Sequence, residues 1–253
     1  MHHSNQTVTS RRKARILDQP VWPTVKLWLA LGAADFRNHL GHSILYGLGL
    51  VSVIWLTLLA LGYFRLGWMI LPMISGAMLL GPLTTVGLYR ISRRAQGLGG
   101  QGVAAPGQIF LVSVVMMVLI LSWVRAAVLL FAVFFGLRPF VGFWETLQTL
   151  FTTPQGILLF VTGSITGGLF AALGFAISVF SFPMLVQRDI DGFSAMGLSF
   201  NATTQNFRLM LTWATCVTAL SAIAVLTGLL ALIPLFPILG FATWHAYADL
   251  FQD

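Results

Sequence analysis

The chain has 253 residues, of which 57% are hydrophobic and only 8% are charged, and its mean hydropathy is +0.87. A soluble domain carries about 25% charged residues, so this composition excludes a water-solvated globular surface and indicates a polytopic membrane protein. The formal net charge of +7 does not indicate nucleic-acid binding, because the basic residues are sparse and flank apolar runs.

The N-terminal part divides into a tail and an amphipathic segment. Residues 1–20 are polar and basic, and we interpret them as a disordered cytoplasmic tail. Residues 21–40 mix apolar residues at helical spacing with Lys26, Asp35 and Arg37, which is typical of a helix lying in the membrane interface. Similar stretches occur at 139–153 and 187–208. We therefore predict a single helical membrane domain over 21–250.

Six apolar segments are candidates to cross a hydrocarbon core of about 30 Å. They cover 43–64, 66–89, 109–137, 156–186, 209–231 and 232–248. The run that begins at Leu209 is too long for one spanning helix, and Pro234 and Pro237 are expected to divide it. The short last segment has a re-entrant path as its alternative. The predicted fold is all-α, with six transmembrane helices and interfacial amphipathic helices.

The basic residues predict the orientation of these spans. Outside the spans, Lys and Arg fall in the N-terminal region and in the loops after the second and fourth spans, whereas Arg65 and Arg138 fall on the other side. By the positive-inside rule the N-terminus is cytoplasmic.

Arg125 is the charged residue inside the third span. An Arg at the centre of a spanning helix costs about 2.5–3.5 kcal/mol on insertion scales, so something should offset that cost. We hypothesise that Arg125 faces the bundle and pairs with Glu145, the acidic residue predicted on the non-cytoplasmic side, or with freed backbone carbonyls. The alternatives are that Arg125 extends to the interface without a partner, or that it lines a substrate or ion path.

Three histidines are candidate ligands. His39 and His42 are three residues apart, so a helix would place them on one face, and His245 ends the sixth span on the same predicted side. Imidazoles at such spacing bind haem iron or copper. The alternative is that they belong to an interfacial belt with the neighbouring Trp and Tyr residues.

Small and acidic residues give two further local predictions. Gly163, Gly167 and Ala171 are spaced four residues apart, and small residues at this spacing form helix-packing faces in membranes. Asp189 and Asp191 resemble the start of a calcium loop, but the later ligands are missing. We therefore interpret Asp191 as the N-cap of the next helix. No metal site is predicted.

Two stretches near the C-terminus, "FPMLVQRDIDGFSAMGLSF" and "PLFPILGFATWHAYADLF", resemble in order and spacing the bacterial integral-membrane family known as domain of unknown function 2189. The residues that carry the likeness are Arg188, Asp191, Ala195, Met196, Gly240, Trp244, His245 and Tyr247. The resemblance implies a helical, six-spanning protein with no established function. We expect it to be a multi-pass protein of the bacterial inner membrane. Some members carry cytochrome c oxidase labels.

The sequence contains no P-loop, GxSxG or HExxH motif, so it gives no basis for proposing an enzyme. The leading hypothesis is a non-catalytic accessory or assembly component of a membrane, respiratory, complex. Its expected partners are the lipid bilayer and other membrane subunits or a second copy, and not nucleic acid. The alternatives are a small transporter or channel, and a haem-binding redox subunit. No cofactor is predicted apart from haem in that last alternative.

Overall fold

The computed structural model describes residues 14–17, 19–63, 85–93, 97, 103–136 and 143–252. These residues form helices, and no strand occurs among them. The helices are α1 (Val21–Asn38), α2 (Leu40–Tyr63), α3 (residues 85–93), α4 (Pro106–Phe135), α5 (Phe143–Thr152), α6 (Pro154–Ser178), α7 (Ser181–Gln187), α8 (Gly192–Gln205), α9 (Phe207–Leu226) and α10 (Leu232–Phe251). The all-α prediction is confirmed for the part of the chain that the structure describes.

Four of the described helical segments are long and apolar enough to cross a membrane. They are Leu40–Ala60, Pro106–Phe135, Pro154–Gln187 and Phe207–Ala224. These segments correspond to the first, third, fourth and fifth predicted spans, so a multi-pass membrane location follows. The second predicted span, 66–89, lies mostly outside the described residues.

The sixth predicted span, 232–248, is helical but does not qualify as a candidate span. Helix α10 carries His245 and Asp249, which lower its hydropathy, and its C-terminal half is buried among other helices. It packs against α1 and α2. The prediction of six spans is therefore not confirmed: four described segments qualify, and the apolar residues in the C-terminal half of α10 are mostly buried by protein.

The chain breaks between α9 and α10 at Gly228 and not at the prolines. Gly228 and Leu229 have φ angles of 63° and 72°, and the N–H of Leu229 donates to the carbonyl of Ala224 over 2.8 Å. A left-handed glycine followed by this bond is the usual way to end a helix. Pro234 and Pro237 instead lie within α10, so their predicted role as the dividing residues is wrong.

The predicted fourth span is interrupted between α6 and α7. The hydroxyl of Ser199, from α8, accepts the N–H of Phe180 over 3.1 Å and donates to the carbonyl of Ala176 over 2.7 Å. In a continuous helix these two backbone groups would bond to each other. A side chain that inserts between the backbone groups of a helix breaks the helix. Helix α7 is therefore separate from α6, and most of its residues are buried.

Two glycines let α1 and α2 approach α10 closely. A Cβ added to Gly32 of α1 would lie 2.6 Å from the carbonyl oxygen of Ile238, and a Cβ added to Gly47 of α2 would overlap the backbone of Ile233. The three helices therefore pack at backbone distance, and this packing places the first half of α1 beside the last half of α10.

Residues 14–17, which were assigned to the tail, are held against the helices. The N–H of Arg15 donates to the carbonyl of Leu250 over 3.0 Å. The side chain of Asn206 accepts the N–H of Leu17 over 2.9 Å and donates to the carbonyl of Arg15 over 3.0 Å. This short segment is ordered because Asn206, at the α8–α9 junction, satisfies its backbone.

Candidate functional site

A polar cluster joins α1, α3 and α10. The Nε2–H of His245 donates to Oδ2 of Asp35 over 3.0 Å, and the hydroxyl of Ser92 donates to the same oxygen over 2.7 Å. The side chains of His245 and Asp35 are only 13% and 15% exposed, and Ser92 is fully buried. An ionised carboxylate only accepts hydrogen bonds, so both donors converge on Asp35.

The surroundings of Asp35 lower its pKa. Burial of the carboxyl group raises the pKa, but the hydrogen bonds from His245 and Ser92, together with electrostatic attraction to His245 and His39, bring it below the ordinary 3.8. The carboxylate is therefore charged at neutral pH and is a strong acceptor for both of its donors.

A second contact joins α1 to α10. The indole N–H of Trp28 donates to Oδ2 of Asp249 over 3.0 Å, and the edge of Trp28 meets Trp213 of α9 with the ring centroids 5.8 Å apart. Trp28 precedes Asp35 in α1, whereas Asp249 follows His245 in α10. The two helices therefore run antiparallel and are joined at two points.

Two arginines donate hydrogen bonds to backbone carbonyls at the ends of α7 and α10. Nη1 of Arg93 donates to the carbonyl of Val186 over 3.1 Å, and Nη2 of Arg188 donates to the carbonyl of Phe251 over 2.8 Å. The guanidinium of Arg188 also lies 5.9 Å from the ring centroid of Phe251, within the range of a cation–π contact. Arg188, singled out by the resemblance, thus binds the C-terminal end of α10.

The cluster contains Ser, His and Asp, but in an order that does not suit nucleophilic catalysis. In hydrolase triads the imidazole lies between the hydroxyl and the carboxylate. Here the hydroxyl of Ser92 directs its proton at Asp35, and Ser92 is buried. We therefore describe Asp35, Ser92 and His245 as a structural clasp.

The other two candidate histidines do not extend this clasp into a metal site. His39 lies in the turn between α1 and α2, where its Nδ1 bonds to the carbonyl of Asp35 over 3.1 Å, and His42 is exposed in α2. His39 directly precedes α2, and its carbonyl accepts the N–H of Ser43 over 2.9 Å, so a shared face of His39 and His42 stays a prediction. Within the described ranges, no three His, Cys, Asp or Glu side chains are placed to hold a metal ion. Haem binding by these histidines stays a prediction.

One motif residue caps the N-terminus of α8, and two others lie on its buried face. Oδ1 of Asp191 accepts the N–H of Ser194 over 2.8 Å, which confirms the N-cap interpretation. Ala195 and Met196 lie on the buried face of α8. The motif therefore fixes where α8 begins and which face it buries.

The motif residues of α10 pack against α3. A Cβ added to Gly240 would lie 2.9 Å from Cδ1 of Leu88, and Trp244 stacks on Tyr89 with the ring centroids 6.1 Å apart. Tyr247 is fully buried and stacks on Phe251 at 5.4 Å. These contacts are those of a packed core.

The three small residues of α6 face two different spaces. Gly163 and Gly167 border a cavity of about 680 Å³ between α4 and α6, and a Cβ on Gly167 would lie 2.9 Å from the ring of Trp123. Ala171 instead lines a groove on the side of α9. Their role in helix association stays a prediction.

Arg125 lies on the outward face of α4. Trp123, Ala127 and Leu130 border the cavity toward α6, whereas Arg125 is exposed on the opposite face. Glu145 belongs to α5, but its side chain is not among the described ones, so pairing of the two residues stays a prediction. The structure shows Arg125 exposed and not directed toward α6.

Sequence reasoning singled out His245 as a candidate ligand but missed Asp35 and Ser92, which complete the clasp. Trp28, Gly32 and Asp35 have helical spacing on one face, and Asp35 there is an acid on a face that is otherwise apolar. From that placement one could have predicted that Asp35 is buried and bonds to a residue of another helix. Nothing local in the sequence identified Ser92 or Asp249 as partners of α1.

One comparison with known proteins agrees with a membrane location. The model of the family described as "Predicted integral membrane protein (DUF2189)" matches residues 70–187. This match confirms the family resemblance over that segment, which includes Arg125 and α6, whereas the motif residues of α8 and α10 lie outside it. No curated protein and no solved structure matches the chain.

Proposed function

We propose that this chain, matched over its middle part to a family of predicted integral membrane proteins, is a non-catalytic accessory or assembly subunit of a larger membrane complex. The observation that carries the proposal is the exposed Arg125 within the spanning helix α4. A guanidinium facing lipid costs several kcal/mol unless it reaches a partner or the interface.

Of the described acids, Asp191 lies far from Arg125, and Asp35 and Asp249 bind other helices. The N–H of Gly192, next to Asp191, donates to Oε1 of Gln108 over 2.8 Å, so Asp191 lies at the N-terminal end of α4. Arg125 lies about 25 Å further along the helix axis. Asp35 and Asp249 are engaged in the contacts between α1 and α10.

The surface around Arg125 suits a helical partner. The same face of α4 exposes Val118, Leu121, Val128 and Leu129, and Ser122 bonds back to the carbonyl of Val118 over 2.8 Å. An apolar stripe with one central guanidinium matches a spanning helix that carries a carboxylate. Within the bilayer such a pair neutralises a charge that lipid would not solvate.

The narrower form of the proposal places this complex among the respiratory complexes of the bacterial inner membrane, with the N-terminus cytoplasmic. It is supported by the family resemblance and by the distribution of basic residues. The ends of α7 and α10, together with Arg93 and Arg188, come together in one region, as loops on one side of a membrane would.

The test is co-purification from membranes in mild detergent, with partners identified by mass spectrometry. We expect stoichiometric membrane subunits with the wild type and with Arg125→Lys, and at least a tenfold loss with Arg125→Leu. Arg37→Leu, at an exposed position of α1, is the matched control and should retain the partners.

A Glu145→Gln variant separates the two ways of neutralising Arg125. If the carboxylate belongs to a partner, Glu145→Gln leaves the co-purified subunits unchanged. Recovery of every variant alone, or equal recovery of partners with Arg125→Leu, would contradict the proposed function.

A further inference from the structure

We propose that the groove between α6 and α9 binds one anionic phospholipid, with an acyl chain in the groove and the headgroup at Arg208. The groove has a volume of about 760 Å³ and is lined almost entirely by apolar and small side chains. This volume lies within the range of about 300–1,000 Å³ that is typical of ligand pockets.

The groove exists because α8 holds α6 and α9 together at one end only. Helix α8 packs against both of them, and Phe200 and Thr203 of α8 line the groove where it begins. From there, the lining of α9 extends from Phe207 to Ala222. That distance is about 22 Å along the helix axis, or about one and a half leaflets of a core of about 30 Å.

The mouth of the groove is polar and positively charged. Thr203 and Thr204 of α8 line the groove at this end. Arg208 lies in the first turn of α9 and shares a helix face with Leu211, Thr215 and Ala219, which line the groove farther along. Its side chain therefore lies at the edge of the opening. Arg208 is exposed. The described carboxylates nearest to it along the chain, Asp189 and Asp191, precede the start of α8. That start lies about 20 Å from the end of α8 at which the mouth is placed.

Charge complementarity selects the occupant. A basic residue at the interface end of an apolar groove between spanning helices can bind a lipid phosphate while the groove holds the acyl chain. Arg208 lies in the first turn of α9, where lipid phosphates lie, so one lipid supplies both the acyl chain and the anion, whereas Arg125 lies ten residues inside the end of α4. The proposal therefore commits to an anionic phospholipid and is independent of the partner proposed for Arg125.

The test is native mass spectrometry of protein reconstituted with equal amounts of phosphatidylglycerol and phosphatidylcholine. We expect one retained phosphatidylglycerol per wild-type chain and per Arg208→Lys chain, and at least fivefold less retention with Arg208→Ala. Arg37→Ala is the matched control for loss of an exposed Arg and should retain the lipid.

A second pair of variants tests the groove itself. Thr218 lines the groove, whereas Ile223 is exposed on another face of α9 outside the lining. Thr218→Phe should reduce phosphatidylglycerol retention at least fivefold, and Ile223→Phe should leave it unchanged. Equal retention of both lipids by the wild type, or no effect of either Arg208→Ala or Thr218→Phe, would overturn the proposal. So would a co-purified protein helix in the groove.

Discussion

The carboxylate of Asp35 and the imidazole of His245 lie 3.0 Å apart, although 210 positions separate them in the chain. This contact, with the Trp28–Asp249 bond, fixes α10 as a core helix beside α1. The region predicted as the last membrane span therefore forms the internal support of the described fold.

Replacing Asp35 with Asn should destabilise the protein. The variant loses the charged acceptor for His245 and Ser92, and bonds to charged groups contribute about 1.5–3 kcal/mol. Thermal unfolding in detergent is the measurement. Asp189→Asn is the matched control, because Asp189 is exposed, and it should change stability by less than about 0.5 kcal/mol. Equal effects of the two variants would contradict the role of the clasp.

The same carboxylate predicts a pH dependence of stability. The pKa of Asp35 is lowered in the folded state below the ordinary 3.8, so its contribution is fully present above that ordinary value and is lost as the pH falls through the folded pKa. The difference in melting temperature between wild type and Asp35→Asn should therefore shrink from about pH 5 to about pH 3. A constant difference over this range would refute the prediction.

Ser199→Ala should destabilise the α6–α7 junction. The variant leaves the buried N–H of Phe180 and carbonyl of Ala176 without the hydroxyl that bonds to both, at a cost of about 1–3 kcal/mol. Ser122→Ala is the control, because Ser122 is exposed on α4 and should change stability little. If the two variants melted alike, the inserted hydroxyl would not be what separates α6 from α7.

Two glycines of α2 give a matched pair. Gly47→Ala should separate α2 from α10, because the added methyl overlaps the backbone of Ile233, whereas Gly49 has open space around its Cα. Gly49→Ala should be tolerated, and the gain in helix propensity is up to about 1 kcal/mol. Chemical denaturation of both variants is the measurement, and a Gly47→Ala protein as stable as wild type would exclude close packing of α2 on α10.

Much of the helical framework was predictable from hydropathy. The cores of α2, α4, α6 and α9 are long apolar runs, and such runs of about 20 residues identify spanning helices. The N-cap at Asp191 was predictable as well, because a cap depends on residues only three positions apart.

The break between α6 and α7 and the clasp were not predictable, because both depend on contacts between residues that are distant in sequence. Ser199 interrupts the α6–α7 ladder from another helix, and Ser92 reaches Asp35 from α3. Hydropathy also cannot distinguish apolar residues buried by protein, as in α10, from those buried by lipid. For the same reason the chain alone does not identify the partner of Arg125.

The most direct test of the central claim is photo-cross-linking from the outward face of α4. A benzophenone amino acid replaces Leu121, which is one helical turn before Arg125 and exposed, or Leu130, which borders the cavity toward α6. We predict cross-linking to a separate membrane polypeptide from position 121 and not from position 130, with loss of the product in Arg125→Leu and its retention in Arg125→Lys. Only lipid adducts from position 121, or a polypeptide product that persists in Arg125→Leu, would contradict the account.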